Sequence, residues 1–175
     1  MLSRIRRFCR ARDGLAAIEF AMLAPILIAM FLGSIELTDA LVCQQKVTGM
    51  ASTAADLVAQ ETSVSSGDIA NVYAAINSIV YPYPTTGLKI TISSLIYATA
   101  TTGTVAWSDA QNATARTVNS TVTVPTGVIS SGGSVILVEV TYPYNSAVSK
   151  FLSAPTNMTS AFYARPRRST TVTHT

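Results

Sequence analysis

Histidine is almost missing from this chain: one occurs in 175 residues, His174, next to the carboxy terminus. A Ser-His-Asp or Cys-His arrangement therefore has no well-placed base, and no histidine-based metal site can be assembled. Cysteine is nearly as scarce, with only Cys9 and Cys43. No glycine-rich phosphate loop and no internal repeat is present. Charge is sparse at 12% of residues, and the net +3 misleads if taken as a whole. Arg4, Arg6, Arg7, Arg10 and Arg12 all precede Gly14, so the rest of the chain is one unit negative. Three of its seven remaining Lys and Arg gather at Arg165, Arg167 and Arg168, not over a face interleaved with aromatics, which argues against nucleic acid as a partner. Among the acids, Asp39, Asp56, Glu61 and Asp68 fall on expected helix or loop surfaces. Asp109 and Glu139 can meet across strands as a carboxylate pair, although nothing in their spacing requires it. These shortages leave no expected enzymatic activity, cofactor, metal or small-molecule substrate.

What the chain has in abundance is apolar sequence near its start. Leu15 to Ile35 is broken by a single charge, Glu19. As a helix rising about 1.5 Å per residue, the stretch from Ala16 covers roughly 30 Å, one bilayer core. A cleaved secretory signal fits poorly, because the run is too long and leads into Ile35-Glu36-Leu37-Thr38-Asp39 without a small-x-small site. Arginine is retained on the cytoplasmic side, so the leader stays inside and everything after Glu36 lies outside. Cys9 and Cys43 then sit on opposite sides of the membrane and cannot pair. Cys43 either bridges to another chain or, the favoured alternative, is a small buried hydrophobe. The expected organisation is a basic leader over 1–14, a transmembrane helix over 15–35, an outer domain over 36–168 with a helical stalk at 36–60, and a disordered tail over 169–175.

Gly14-Leu15-Ala16-Ala17-Ile18-Glu19-Phe20 resembles a type IV prepilin cleavage region: a basic leader, a glycine, then an apolar helix with glutamate at its fifth residue. With Arg12-Asp13, Ala21, Leu23, Pro25, Gly33 and Glu36, the stretch resembles the amino-terminal signature of the TadE/TadG-like family, small membrane-anchored proteins of the Tad (tight adherence, Flp-type) pilus machinery. The likeness returns weakly at Val138 to Tyr144 and at Ala164 to Arg167. The short chain suits the TadE type, which resembles minor pseudopilins. The resemblance implies cleavage by a prepilin peptidase after Gly14, a mature chain starting at Leu15, and a role for Glu19 in subunit register. A carboxylate in a membrane helix is costly unless paired, and the free amine made at Leu15 of a neighbouring subunit is a partner for it. The bland alternative for Glu19 is a headgroup-level side chain reaching water. Implied partners are other pilins and pseudopilins of the Tad system, the prepilin peptidase and the bacterial inner membrane, with the carboxy-terminal domain periplasmic. The rival is an uncleaved, membrane-anchored periplasmic binding or adhesin module, which predicts an intact leader and a ligand pocket in the sheet region.

Beyond the membrane, Leu37, Ala40, Gln44, Val47, Ala51, Ala54 and Val58 step by three and four, the period of a helical face. Ser65-Ser66-Gly67-Asp68 has capping-box spacing before a second helical pattern at Ile69, Val72, Tyr73, Ile76, Ile79 and Val80. Tyr81-Pro82-Tyr83-Pro84 ends it and reads as turn and core packing in preference to a ligand platform. Strands are expected at Leu88 to Ser93, Val105 to Trp107, Thr117 to Val124, Val135 to Tyr142 after the Gly132-Gly133 turn, and Met158 to Ala164. Ser169 to Thr175 shows no apolar pattern and is expected to fray. Sequons at Asn112, Asn119 and Asn157 follow from Ser/Thr-rich composition. The Arg165–Arg168 cluster can meet anionic headgroups, an acidic partner subunit, or solvent alone. The fold class is α+β and pilin-like: a long amino-terminal helix, transmembrane and then an amphipathic stalk, packed on a small antiparallel sheet.

Overall fold

The computed structural model describes residues 13–145 and 156–175. The arginine-rich leader with Cys9 lies outside the described residues. One helix, α1, runs from Asp13 to Ala59 with Pro25 inside it, and the chain divides into two units, one ending at Asp39 and one from Ala40 to Thr175.

From Gly14 to Asp39 no described side chain is buried. Phe20, Met22 and Phe31 are each more than 60% exposed. The polar side chains near its end turn inward on the helix itself. Ser34 Oγ donates to the Phe31 carbonyl at 2.8 Å, and Thr38 Oγ1 donates to that of Ser34 at 2.8 Å. Such back-bonding satisfies the hydroxyls without water and makes the segment compatible with apolar surroundings.

In the second unit α1 acquires a buried side. Cys43, Val47, Met50, Ala51, Ala54, Ala55 and Val58 are all fully buried. Val47, Ala51, Ala54 and Val58 were the expected face, Met50 and Ala55 widen it, and Ala40 is only half-buried. Alanine on this face lets the helix backbone approach the layer beneath it. Cys43 is the small buried hydrophobe expected of it. A short strand, β1 (Ser63–Val64), precedes helix α2 (Ser66–Ile79). The capping box at its start is formed as read: the Ser65 side chain accepts from the Asp68 backbone N–H, and Asp68 accepts from the Ser65 backbone N–H. Ile69, Val72 and Ile76 are buried, each three or four residues from the next.

Five further strands form one antiparallel sheet in the order β4-β3-β2-β5-β6, where β2 is Lys89–Thr99, β3 Thr102–Gln111, β4 Thr121–Thr123, β5 Ser134–Tyr144 and β6 Thr156–Ala164. One face carries Ile90, Ile92, Ile136, Val138, Val140 and Tyr142 into a core shared with α1 and α2. Tyr83 joins it with its ring 6.3 Å from those of Tyr142 and Tyr144, while Tyr81 is exposed, so the Tyr-Pro segment divides between packing and solvent. The other face is covered as well. Val124 and Ile129, from the connection between β3 and β5, close over Leu95, Val105, Val135 and Leu137 in a second, smaller core. β2 was expected to be buried on one face, yet Thr91 and Ser93 are also buried, because this connection folds back across the sheet.

Two sequence expectations are corrected. Of Thr117 to Val124, only Thr121–Thr123 is strand, since Asn119 takes φ 67° and Val118 is exposed. Residues 169–175 are not a frayed tail. Strand β7 (Thr173–His174) pairs in parallel with β1, Val172 is 1% exposed, and the Trp107 Nε1–H donates to the Val172 carbonyl at 2.7 Å. Ser134 Oγ donates to the Thr170 carbonyl at 2.8 Å, fastening the same segment to β5.

Candidate functional site

Gly14, Leu15 and Glu19 all lie at the start of α1, where Leu15 is 61% exposed and Glu19 is exposed as well. Four residues separate Leu15 from Glu19, one helical turn, so the two share a face. A Cβ built on Gly14 meets nothing within 4 Å, so no packing within the described residues demands glycine there. The helix from Gly14 onward is long and apolar enough to cross a membrane. A carboxylate one turn into such a helix is costly in lipid unless it is paired.

In the second unit the acids that sequence left open are kept apart. Asp109 stands opposite Ile92 and Glu139 opposite Thr91 across intervening β2, so the two carboxylates lie on opposite faces of the sheet. Tyr73 Oη donates to Asp109 Oδ1 at 2.8 Å. Burial, reinforced by this hydrogen bond and by the Asp109 charge, pushes the Tyr73 phenol well above its ordinary value. Glu139 instead forms a two-pronged pair with Arg116 on the other face, at 2.7 and 3.1 Å. The carboxylate pair allowed by the sequence does not form. His174 is likewise engaged, its ring 5.4 Å from that of Trp107. Among the described residues no group of three or more His, Cys, Asp or Glu is arranged to hold a metal ion.

The basic cluster is partly committed within the fold. Arg165 donates from Nε to the Val128 carbonyl and from Nη2 to that of Gly127, and Arg167 is ion-paired with Asp56 on α1. Arg168 is exposed. Two open grooves flank this end of α1. One, of about 420 Å³, includes Leu57, Glu61, Asp68 and Asn71 between α1 and α2. The other, of about 590 Å³, includes Thr53, Asp56, Leu57, Phe162, Arg165 and Arg167 between α1 and β6. Sequence reasoning found the arginines but not the helix they border. The contact joins residues more than a hundred positions apart: Arg167 reaches Asp56 with its side chain, and its backbone N–H donates to the Ala59 carbonyl at 2.9 Å.

Comparison with known proteins adds one result. Residues 14–56 match the family model described as TadE-like protein, so the resemblance to the TadE/TadG-like family holds over nearly all of α1. No curated protein and no solved structure matches the chain.

Proposed function

We propose that this chain, TadE-like over its long helix, is a minor pseudopilin that takes part in assembling a Tad/Flp-type pilus. The family match supports the coarser part of this reading, association with the Tad pilus, and with it a structural and not an enzymatic role. The observation that carries it is the coincidence of the TadE-like stretch with a helix whose first turns expose only apolar side chains and one acid. In this reading residues 1–14 are the cytoplasmic leader, 15–35 span the inner membrane, and the residues from 36 on, with the docked segment 169–175, form the periplasmic domain. The leader's arginines hold the chain in place, a prepilin peptidase cuts after Gly14, and Glu19 meets the Leu15 amine of an adjacent pilin or pseudopilin. That pairing removes an otherwise costly charge from lipid and fixes the axial register of the helices.

Mass spectrometry of the protein recovered from membranes, with and without the peptidase, tests this directly. The expected product begins at Leu15 when the peptidase is present and retains residues 1–14 when it is absent. A chain that keeps its leader in both cases overturns the pseudopilin reading and leaves a tethered periplasmic binding or adhesin module.

A further inference from the structure

The two grooves beside α1 carry opposite charge, and they share one residue. Around the helix, Lys46 and Gln44 point about 200° apart. Lys46 Nζ donates to the Ile79 carbonyl on α2, and Gln44 Nε2 donates to the Thr159 carbonyl on β6. The α2 side therefore lies on one flank of α1 and the β6 side on the other. Near the end of α1 the first flank presents Glu61 and Asp68, and the second presents Arg165. Asp68 is held in its charged form, its carboxyl lowered below the ordinary value by the Ser65 backbone and hydroxyl. Asp56 and Arg167, both on the second flank, neutralise each other. Leu57 lines both grooves and is 36% exposed, with Phe162 at 39%. The outward surface of α1 before it is low, because Gly49, Ser52 and Thr53 carry little side chain.

We infer that this face is a contact between two copies of the chain, related by a twofold axis running alongside residues 49–60 of α1. A twofold axis parallel to a helix places the left flank of one copy against the right flank of the other. Glu61 and Asp68 of each copy then face Arg165 of its mate, and the Leu57 side chains meet at the centre. The arrangement is an apolar centre with a charged rim. Both copies of α1 run in the same direction, as two proteins anchored in one membrane require. The contact lies outside the processing site and does not depend on cleavage after Gly14.

The test uses the full chain in its membrane, with Thr53→Cys as a reporter of helix proximity. Thr114→Cys, exposed in the connection that carries Arg116 on the opposite face of the sheet, is the control. Mild oxidation is expected to give a covalent dimer through residue 53 and not through residue 114. Glu61→Arg and Arg165→Glu, each added to Thr53→Cys, turn both symmetric contacts into like-charge pairs and are expected to cut the dimer by about tenfold. Combining the two reversals restores it, which no general damage to folding would do. Equal cross-linking at 53 and 114, single reversals without effect, a double reversal that fails to restore the dimer, or a ladder of higher species each overturns the proposal.

Discussion

Tyr73 joins helix to sheet through its hydrogen bond to Asp109, and its protonation state is tied to folding. In the unfolded chain the phenol ionises near pH 10, whereas burial and the neighbouring carboxylate hold it neutral in the fold. Above that pH the unfolded state binds fewer protons than the native one, so this contribution is complete below about pH 10 and is lost as pH rises further. Burial likewise raises Tyr142 and Tyr163 and steepens the same limb. Tyr73→Phe removes one of these three phenols and takes the donor from Asp109. The expected loss is about 1–2 kcal/mol at neutral pH, with a shallower decline above pH 10. Denaturation midpoints between pH 7 and 11, read from the emission of Trp107, the single tryptophan, give both quantities. An unchanged alkaline slope would show that this phenol is not buried against the sheet.

Among the elements, the carboxy-terminal segment contributes most for its length. Val172 is buried in the larger core, and the indole of Trp107 is satisfied only through the Val172 carbonyl among the described residues. Deleting residues 169–175 removes that burial and leaves a buried N–H without an acceptor, together about 3–5 kcal/mol. Thermal unfolding of the full chain in detergent is expected to shift down by many degrees, with Trp107 emission moving red even when folded. A deletion that leaves both unchanged contradicts the docking of β7. Sequence concealed this element because one apolar residue among threonines, Thr171-Val172-Thr173, carries too short a period to register. It concealed the orientation of Trp107 for a different reason. Simple alternation puts Val105 and Trp107 on one face, but a bulge sets Val105 opposite Leu95 and Trp107 opposite Ser94, leaving Ala106 extra. Val105 therefore packs in the smaller core and Trp107 in the larger. By contrast, the stalk face of α1, the capping box of α2 and the central strand β5 were legible, since each rests on local periodicity or a fixed spacing. The roles proposed for Gly14, Leu15 and Glu19 rest on the order of residues alone. The charged flanks of α1 were not legible, because they join segments distant in sequence.

At the scale of the whole molecule, the two units obey different rules. Residues 14–39 bury nothing and expose an apolar surface, whereas both cores lie within residues 40–175. The nineteen-residue end of α1 from Leu41 belongs to the second unit as firmly as the sheet does, because its alanine-rich face is the roof of the larger core. A cut placed at the end of the apolar run, near residue 36, or at Ala40 should therefore spare the fold, whereas a cut at residue 60 should abolish it. A fragment of residues 40–175 is expected to be soluble without detergent and to unfold in a single step, as domains of this size do. A fragment of residues 61–175 loses Val47, Met50, Ala51, Ala54 and Val58 from the core and is expected to expose Trp107 and aggregate. Circular dichroism and Trp107 emission distinguish the outcomes. If the shorter fragment folds, α1 is a tether resting on a self-sufficient sheet; if the longer one does not, the second unit needs the membrane segment to hold its shape. A folded 40–175 with an unfolded 61–175 makes the later part of α1 integral to the fold of the second unit, and makes that unit independent of the residues before it.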